Sequence, residues 1–294
     1  MTNVAVIAHS KKILGDGLGR LRELLAEQGV TDPLWYEVPK SKRVPTQVAK
    51  ALKKGAELIF IWGGDGSVQR GIDAAVGSSA TLAVLPAGTA NLLANNLGIP
   101  IDLEQAVLVG LRGLDRHLDV GRMNGEHFAV MAGIGLDALM IRDADASLKD
   151  RFGKAAYIWT GARHVRTPPT KTTVKIDGRA WFKGKASCVL VANVGSIAGG
   201  ITAFEHASPD DGVLDVAVVT ADGAWQWVRT LTRASVGNAE RSPLVQMTQA
   251  KKITVESAKK LPYELDGGAR PVTKSLKIKV VPGAVSIRVP NPTH

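Results

Sequence analysis

The chain has 294 residues, 45% of them apolar, and a net charge of +10. This composition excludes an intrinsically disordered protein and leaves room for two ordinary domains of roughly 100–200 residues each. The single cysteine, Cys188, excludes a disulfide within the chain and fits a reducing compartment. No apolar run reaches the ~18 residues of a membrane-spanning helix, and the N-terminus lacks the pattern of a signal peptide. We therefore expect a cytoplasmic protein.

Strand and helix patterns alternate over residues 1–115. Short apolar runs predict buried strands, and apolar residues at helical spacing predict the helices that follow them. The predicted strands cover residues 4–8, 34–36, 58–62 and 81–85. Strands that alternate with helices indicate a mostly parallel sheet with helices on both faces.

The pattern changes after about residue 118, where apolar and polar residues begin to alternate. A period of two is typical of half-buried antiparallel strands, and one helix is predicted among them at about 148–165. The predicted fold class is therefore α/β. We expect an N-terminal three-layer α/β domain with a mostly parallel sheet, residues 1–117, followed by a mainly antiparallel, sandwich-like β domain, residues 118–294.

A glycine-rich loop, Gly63-Gly64-Asp65-Gly66-Ser67, follows the strand predicted at 58–62 and opens an amphipathic helix. Glycines allow a tight turn and a close approach of the backbone to a ligand, and the N–H groups of a helix N-terminus attract phosphate. A carboxylate in this place indicates the handling of a cation such as Mg²⁺. The alternative is an ordinary strand–turn–helix connection with a capping residue.

A second loop of the same kind, Pro86-Ala87-Gly88-Thr89-Ala90-Asn91, follows the strand predicted at 81–85. Gly88 and Thr89 stand where a helix begins, and Thr89 is a candidate N-cap or phosphate ligand. Open α/β sheets bind ligands at the carboxyl ends of their strands. We therefore expect both loops to lie at one edge of the sheet.

Together with five further motifs, the two loops resemble the diacylglycerol kinase catalytic-domain family, which includes bacterial diacylglycerol, phosphatidylglycerol and sphingosine-type lipid kinases. The motifs are Leu-Asp-Val-Gly at 118–121, Gly-Ile-Gly-Leu-Asp at 133–137, Gly-Gly at 199–200, Asp-Asp-Gly-Val-Leu-Asp at 210–215 and Leu-Asp-Gly at 265–267. The resemblance covers nearly the whole chain. It implies an ATP-dependent kinase that phosphorylates a lipid hydroxyl, such as that of diacylglycerol, and that uses Mg²⁺.

The resemblance also implies roles for individual residues. The residues expected to hold the ATP phosphates and their Mg²⁺ are Gly63, Gly64, Asp65, Gly66, Ser67, Gly88, Thr89 and Asn91. Asp266 is expected to accept the proton of the lipid hydroxyl, and Asp211 to bind a second, structural Mg²⁺. Four places depart from the family pattern: His9-Ser10 replaces Asn-Pro, Gln69-Arg70 replaces Asn-Glu, Leu92 replaces an aspartate, and Gly268 replaces a glutamate.

Two other functions remain open. NAD kinases are distant relatives that share the Gly-Gly-Asp-Gly loop, although their Asn-Glu motif is not found near the middle of this chain. A catalytically weak nucleotide or lipid sensor would fit the loss of the glutamate at Gly268.

The net charge favours anionic partners. Basic residues recur at 149–166 and 251–260, and they predict a reversible, peripheral contact with an anionic membrane surface. Nucleic acid is not expected, because helix-turn-helix and zinc-finger spacings are absent and the aromatic residues are not interleaved with basic ones. No pattern identifies the lipid or the oligomeric state.

Overall fold

The computed structural model describes residues 3–135, 168–197, 201–235 and 242–291. The chain forms two compact units: Met1–Leu118 with Gly283–His294, and Asp119–Pro282. The predicted boundary after residue 117 lies one residue from this division. Residues 283–294 differ from the prediction, because the sequence assigns them to the second domain and they belong to the first unit.

The first unit contains a parallel sheet. Its strands are β1 (Val4–His9), β2 (Leu34–Val38), β3 (Leu58–Gly63), β4 (Thr81–Pro86) and the end of β16 (Gly268–Val289). Their order is β16-β4-β3-β1-β2, and each neighbouring pair is parallel. The helices are α1 (Gly17–Glu27), α2 (Val44–Lys53), α3 (Asp65–Ala75), α4 (Leu92–Asn96) and α5 (Leu103–Arg112), and a 3-10 turn covers Ser41–Arg43.

Helices cover both faces of this sheet, as the alternation of patterns predicts. Successive side chains along a strand point to opposite faces of the sheet. Phe60 and Trp62 share a core with residues of α1 and α5. Ile61 points the other way, and its side chain lies so close to α3 that a Cβ at Gly71 would be 3.1 Å from it. All residues of β3 and β4 are buried, which explains their unbroken apolar runs.

The second unit is mainly antiparallel, so the predicted fold class is confirmed. Its strands are β5 (Leu114–Met123, entering from the first unit), β6 (Glu126–Phe128), β7 (Met131–Gly135), β8 (Thr170–Ile176), β9 (Arg179–Ala186), β10 (Cys188–Ala192), β11 (Ser196–Ile197), β12 (Ile201–Thr202), β13 (Leu214–Val219), β14 (Val245–Ala250), β15 (Lys252–Leu265) and the first part of β16. The order β14-β13-β10-β7-β15-β16 forms the main sheet, and β8 and β9 extend from β15.

One helix, α6 (Ala224–Ser235), accompanies these strands. The sequence did not single it out, and the helix that it does predict, at 148–165, lies outside the described residues. The core of the second unit comes from one face of its strands, for example Val189 and Val191 of β10 and Val216 and Val218 of β13. Within the part of the chain that the structure describes, no helix is both long and apolar enough to cross a membrane.

Candidate active site

The first glycine loop leaves the carboxyl end of β3 and leads directly into α3. Gly63 ends the strand, Gly64 is the N-cap with extended backbone, and the helix begins at Asp65. A glycine N-cap has no side chain to bind the N–H groups of the first turn. Those groups, together with the partial positive charge of the helix end, suit a phosphate.

Asp65 joins the first loop to the second. Its Oδ2 accepts the N–H of Asn91 at 3.1 Å, and its Oδ1 accepts the N–H of Leu92 at 2.5 Å. Leu92 is the first residue of α4, so Asp65 caps a helix that starts 27 positions later in the chain. The structure therefore brings the two loops together, and it gives Asp65 a positioning role for which the sequence has no local signal.

Asn91 fixes the shape of the second loop. Its backbone is left-handed, with φ of 46°, a conformation that asparagine tolerates better than most residues. The side chain is buried and closes back on its own loop: Oδ1 accepts the N–H of Gly88 at 2.8 Å, and Nδ2 donates to the carbonyls of Gly88 and Pro86 at 2.9 and 3.2 Å. Asn91 thus holds the loop backbone in place.

Two of the loop glycines are required by close packing, Gly88 between the two loops and Gly63 within the first loop. A Cβ at Gly88 would lie 2.5 Å from the Cα of Gly64, and a Cβ at Gly63 would lie 2.5 Å from the Cβ of Ser67. Such distances are well inside van der Waals contact. From the sequence, the glycines of the first loop are expected to allow a tight turn and the close approach of a ligand, and the structure adds this second reason.

The predicted loop residues differ in what they can present to a ligand. Ser67 and Asn91 are buried, whereas Thr89 is exposed and Gly64, Asp65, Gly66 and Gly88 are partly exposed. The exposed part of the two loops is therefore made of backbone and of the Thr89 and Asp65 side chains. Among the described residues, no three His, Cys, Asp or Glu side chains come together in a group that could hold a metal ion.

Asp266 lies in the second unit, in the turn between β15 and β16. Its backbone is left-handed, with φ of 45°, and only 3% of its surface is exposed. The carboxylate accepts three backbone N–H groups at 2.9 Å, those of Ala129, Val130 and Met131. These bonds hold the carboxylate in a single position against the chain that leads into β7.

Asp211 lies at the surface of the second unit, in the loop before β13. Its Oδ1 accepts the N–H of Val213 at 3.0 Å. The same loop is held by Asp119, which is buried: its Oδ2 accepts the N–H of Gly212, and its own N–H donates to the carbonyl of Pro209, both at 2.6 Å. In the sequence, Asp119 is recognised only as part of the Leu-Asp-Val-Gly motif. The structure shows that its side chain and backbone hold the loop that carries Asp211.

Two family models match the chain. The diacylglycerol kinase catalytic domain matches residues 4–123, and the YegS C-terminal NAD kinase beta sandwich-like domain matches residues 130–289. The diacylglycerol kinase of Bacillus subtilis (strain 168) is 30% identical over 231 residues, which are 76% of this chain and 75% of that protein. The chain belongs to the diacylglycerol kinase catalytic-domain family. The resemblance seen in the sequence is thereby confirmed.

Other members of the diacylglycerol kinase family and its relatives match over most of the chain. The YegS-like protein of Pseudomonas aeruginosa PAO1 is 31% identical over 248 residues, 83% of this chain and 80% of that protein. A diacylglycerol kinase structure from Bacillus anthracis str. Sterne has a TM-score of 0.73 at 20% identity and covers 99% of this chain and 97% of that one. An NAD kinase from Archaeoglobus fulgidus in complex with ATP has a TM-score of 0.56 at 11% identity, covering 98% and 93%. The two structures show the fold.

Gly268 stands where the diacylglycerol kinase family usually has a glutamate after Asp-Gly. The side chain of Arg270 lies next to Gly268. A Cβ at Gly268 would be 2.8 Å from Nη1 of Arg270. The guanidinium is held by Glu126, with Nε and Nη2 donating to its carboxylate at 2.8–3.0 Å, and Nη1 donates to the Gly268 carbonyl at 3.0 Å. Burial lowers the pKa of Arg270, but Glu126 more than offsets this, so its pKa is raised overall. The charged pair fills the space next to the missing side chain.

His9 stands where the diacylglycerol kinase family commonly has asparagine at the end of β1. It lies beside the first loop, because a Cβ at Gly63 would be 3.7 Å from the His9 Cβ. Burial lowers the pKa of His9, and the charges of Lys12 and Lys11 lower it further. The imidazole is therefore neutral at neutral pH. Its Nδ1 accepts the N–H of Lys11 at 3.3 Å, so Nε2 carries the proton and is a donor.

Proposed function

We propose that this chain is an ATP-dependent lipid kinase that transfers the γ-phosphate of ATP to a hydroxyl group of diacylglycerol or a related lipid. The observation that carries the proposal is the joining of two glycine loops by Asp65 at the start of α3, in a chain of the diacylglycerol kinase family. Phosphoryl transfer depends mainly on positioning and on neutralising charge. Two loops joined by Asp65 at a helix N-terminus would supply both.

The loop residues have two kinds of role in this proposal. The phosphates bind to the N–H groups at the start of α3, to the backbone of Gly64 and Gly66, and to the Thr89 hydroxyl. Gly88 shapes the second loop, because its N–H and its carbonyl both bond to the Asn91 side chain. Ser67 and Asn91 are positioning residues, because both side chains are buried. Mg²⁺ prefers oxygen ligands and usually keeps several waters. Asp65 would hold it directly or through water, and the ion would neutralise charge on the phosphates.

Asp266 and Asp211 keep their predicted roles as parts of this proposal. Three backbone N–H groups fix the Asp266 carboxylate, and a general base has to be held in position to accept a proton from an alcohol. A purely structural role would need the same bonds, and the rate and stability of Asp266→Asn distinguish the two roles. Asp211 presents an exposed carboxylate on an anchored loop, which suits an oxygen-seeking cation such as Mg²⁺.

The identity of the acceptor is tested by incubating the purified chain with Mg²⁺, ATP labelled in the γ-phosphate, and one acceptor at a time. The acceptors are diacylglycerol, phosphatidylglycerol, a sphingoid base and NAD. We expect label in an organic-phase product and none in NAD. Label in NAD alone would instead assign the chain to the NAD kinases, whose fold it shares at a TM-score of 0.56. ATP binding without any labelled product would favour the other function left open by the sequence, a catalytically weak nucleotide or lipid sensor.

A lipid acceptor requires contact with a bilayer, and the outer side of α6 is suited to it. Trp225 has 79% of its surface exposed. Arg229, one turn further along the same side, is exposed as well, whereas Trp227 and Thr230 on the opposite side are buried. Tryptophan favours the level of the lipid headgroups, and arginine is attracted to anionic lipids. We propose that this side of α6 docks on an anionic bilayer.

Lysines of the second unit add to the attraction. Lys251, Lys252, Lys259 and Lys260, which the sequence predicts to face an anionic surface, are all exposed. The other predicted basic group lies outside the described residues. Its members are Lys149, Arg151, Lys154, Arg163 and Arg166. Binding to vesicles should therefore increase with anionic lipid and decrease with salt.

Replacing Trp225 with glutamine should weaken vesicle binding about tenfold, which corresponds to ~1.4 kcal/mol, because the indole can no longer bury apolar surface between the headgroups. The matched control is Val272→Gln, which removes an exposed apolar side chain from β16 of the same unit. Cosedimentation with anionic vesicles measures both variants. Equal binding of the two would contradict docking through α6.

A further inference from the structure

A cavity in the second unit is lined by four basic side chains. It has a volume of about 380 Å³. Its lining comes from β5, the turn between β5 and β6, β15 and β16. The lining residues are Arg122, Asn124, Gly125, Lys252, Ile253, Thr254, Lys277, Ile278 and Lys279. We call Arg122, Lys252, Lys277 and Lys279 the basic cluster.

The register of β15 and β16 concentrates this charge on one face. Lys252 is the direct partner of Lys279, and Thr254 is the partner of Lys277. The isoleucines between them, Ile253 and Ile278, point to the other face and belong to the buried core. Like charges directly opposite each other destabilise an antiparallel pair. The fold thus carries an unfavourable pair that its own packing does not require.

Carboxylates near the basic cluster are engaged with other groups. Asp177 uses its Oδ1 to accept the backbone N–H of Lys252 at 2.8 Å. Glu256, on the same face of β15, lies 3.3 Å from the Nζ of Lys175, and Glu126 is paired with Arg270 at 2.8 Å. Within the described ranges, no member of the basic cluster forms an ion pair with a carboxylate. The described lining of the cavity contains four cationic side chains and no carboxylate, so positive charge predominates there.

The lining determines which anion would fit. Arginine offers a planar fork that matches phosphate oxygens, and lysines act as point charges. The amide of Asn124 and the hydroxyl of Thr254 add neutral donors. Among the residues that the structure describes, the lining contains no aromatic side chain, so these residues offer no surface on which a base could stack, as single-stranded nucleic acid requires. A compact phosphate group with more than one negative charge fits best.

We propose that the basic cluster is a second phosphate-binding site, which takes a multiply charged phosphate group either from a soluble compound or from a phospholipid headgroup. None of the residues in the basic cluster is among those to which ATP binding is assigned. Occupancy would relieve the repulsion between Lys252 and Lys279.

Two variants of the full chain test this site. The cluster variant carries Lys252→Gln, Lys277→Gln and Lys279→Gln. The control variant carries Lys183→Gln, Lys185→Gln and Lys274→Gln, which remove the same charge from exposed lysines of β9 and β16 that do not line the cavity. Circular dichroism and thermal unfolding check that both remain folded. Both retain the glycine loops, so a difference between them reports on the cavity.

The first measurement is calorimetric titration with inorganic pyrophosphate in the absence of ATP. We expect the cluster variant to bind about tenfold more weakly than the control variant, since removing three charges weakens a site formed by charge. The second measurement is binding to phosphatidylcholine vesicles that contain phosphatidic acid, a phosphate monoester, compared with vesicles of equal charge made with phosphatidylglycerol.

The two measurements distinguish the sources of the phosphate. A headgroup site is supported when the cluster variant binds pyrophosphate more weakly and loses more binding to phosphatidic acid vesicles than to phosphatidylglycerol vesicles of equal charge. The comparison between the two vesicles is needed because Lys252 also contributes to the general attraction to an anionic surface. Weaker binding to pyrophosphate without that difference between the vesicles supports a soluble ligand. The site is refuted when the two variants bind alike in both measurements. Kinase activity is not a readout, so a failure here leaves the proposed function standing, and failure of the acceptor assay leaves this site standing.

Discussion

Replacing Asp65 with asparagine is expected to slow phosphoryl transfer at least ~10²-fold, about 2.7 kcal/mol of activation free energy. The substitution removes the negative charge that would hold Mg²⁺ beside the phosphates. It also turns one carboxylate oxygen into an NH₂ group facing the N–H of Asn91 or Leu92, since both oxygens accept such groups. The loss of one of these bonds costs about 1–3 kcal/mol of folding free energy, so turnover has to be expressed per folded molecule.

A matched control for Asp65 is present in the same unit. Asp102 is the N-cap of α5, and its Oδ1 accepts the N–H of Gln105 at 2.9 Å. Asp102→Asn removes the same charge from a helix N-terminus, and asparagine caps about as well as aspartate. We expect this variant to keep its activity. Near wild-type turnover in folded Asp65→Asn would remove Asp65 from the proposed mechanism.

Replacing Asp266 with asparagine should lower the rate of transfer by ~10²–10⁴-fold, the contribution typical of a general base, while ATP binding persists. Asparagine tolerates the left-handed backbone at this position, so the turn itself is retained. One oxygen that accepts backbone N–H groups becomes a donor. We therefore expect a further loss of about 1–3 kcal/mol in the free energy of unfolding, measured by denaturant titration.

The β8–β9 turn offers a control of the same geometry. Asp177 is also left-handed, with φ of 48°, and a glycine follows it. Its carboxylate also accepts a backbone N–H from another strand, that of Lys252. Asparagine keeps an oxygen that can accept this N–H, so we expect Asp177→Asn to stay folded and to keep the rate per folded molecule. If folded Asp266→Asn retains more than about a tenth of the wild-type rate, well short of the loss of a general base, Asp266 is a positioning residue and the base lies elsewhere.

The parts of the fold that the sequence predicts are those determined by local burial. The strands predicted at 58–62 and 81–85 lie within β3 and β4, because strands buried on both faces have unbroken apolar runs. The carboxyl-edge position of both glycine loops follows from the parallel direction of these strands. The hydrogen bonds by which Asp65 joins the two loops cannot be predicted in this way. They connect positions up to 27 residues apart and leave no periodic pattern in the sequence.

The helix α6 shows why local patterns fail elsewhere. Its residues include tryptophan, valine and threonine, which favour strands by propensity, yet it is a helix with one buried side. Arg270 is a second case. Its partner Glu126 is 144 positions away, so the occupation of the space beside Gly268 depends on tertiary geometry. Residues that occupy the space of a side chain present elsewhere in the family can be found only from the packed structure.

The return of β16 to the first unit has a consequence for how the chain is made. Ser286 and Ile287 pair with Thr81 and Leu82, and Arg288 contacts Asp115 at 3.3 Å. Synthesis on the ribosome runs from the N-terminus, so the sheet that carries both glycine loops lacks this strand until the whole second unit has been translated. Until then β4 is an unpaired edge, open to association with other nascent chains. A fragment that ends at residue 117 would retain that edge permanently.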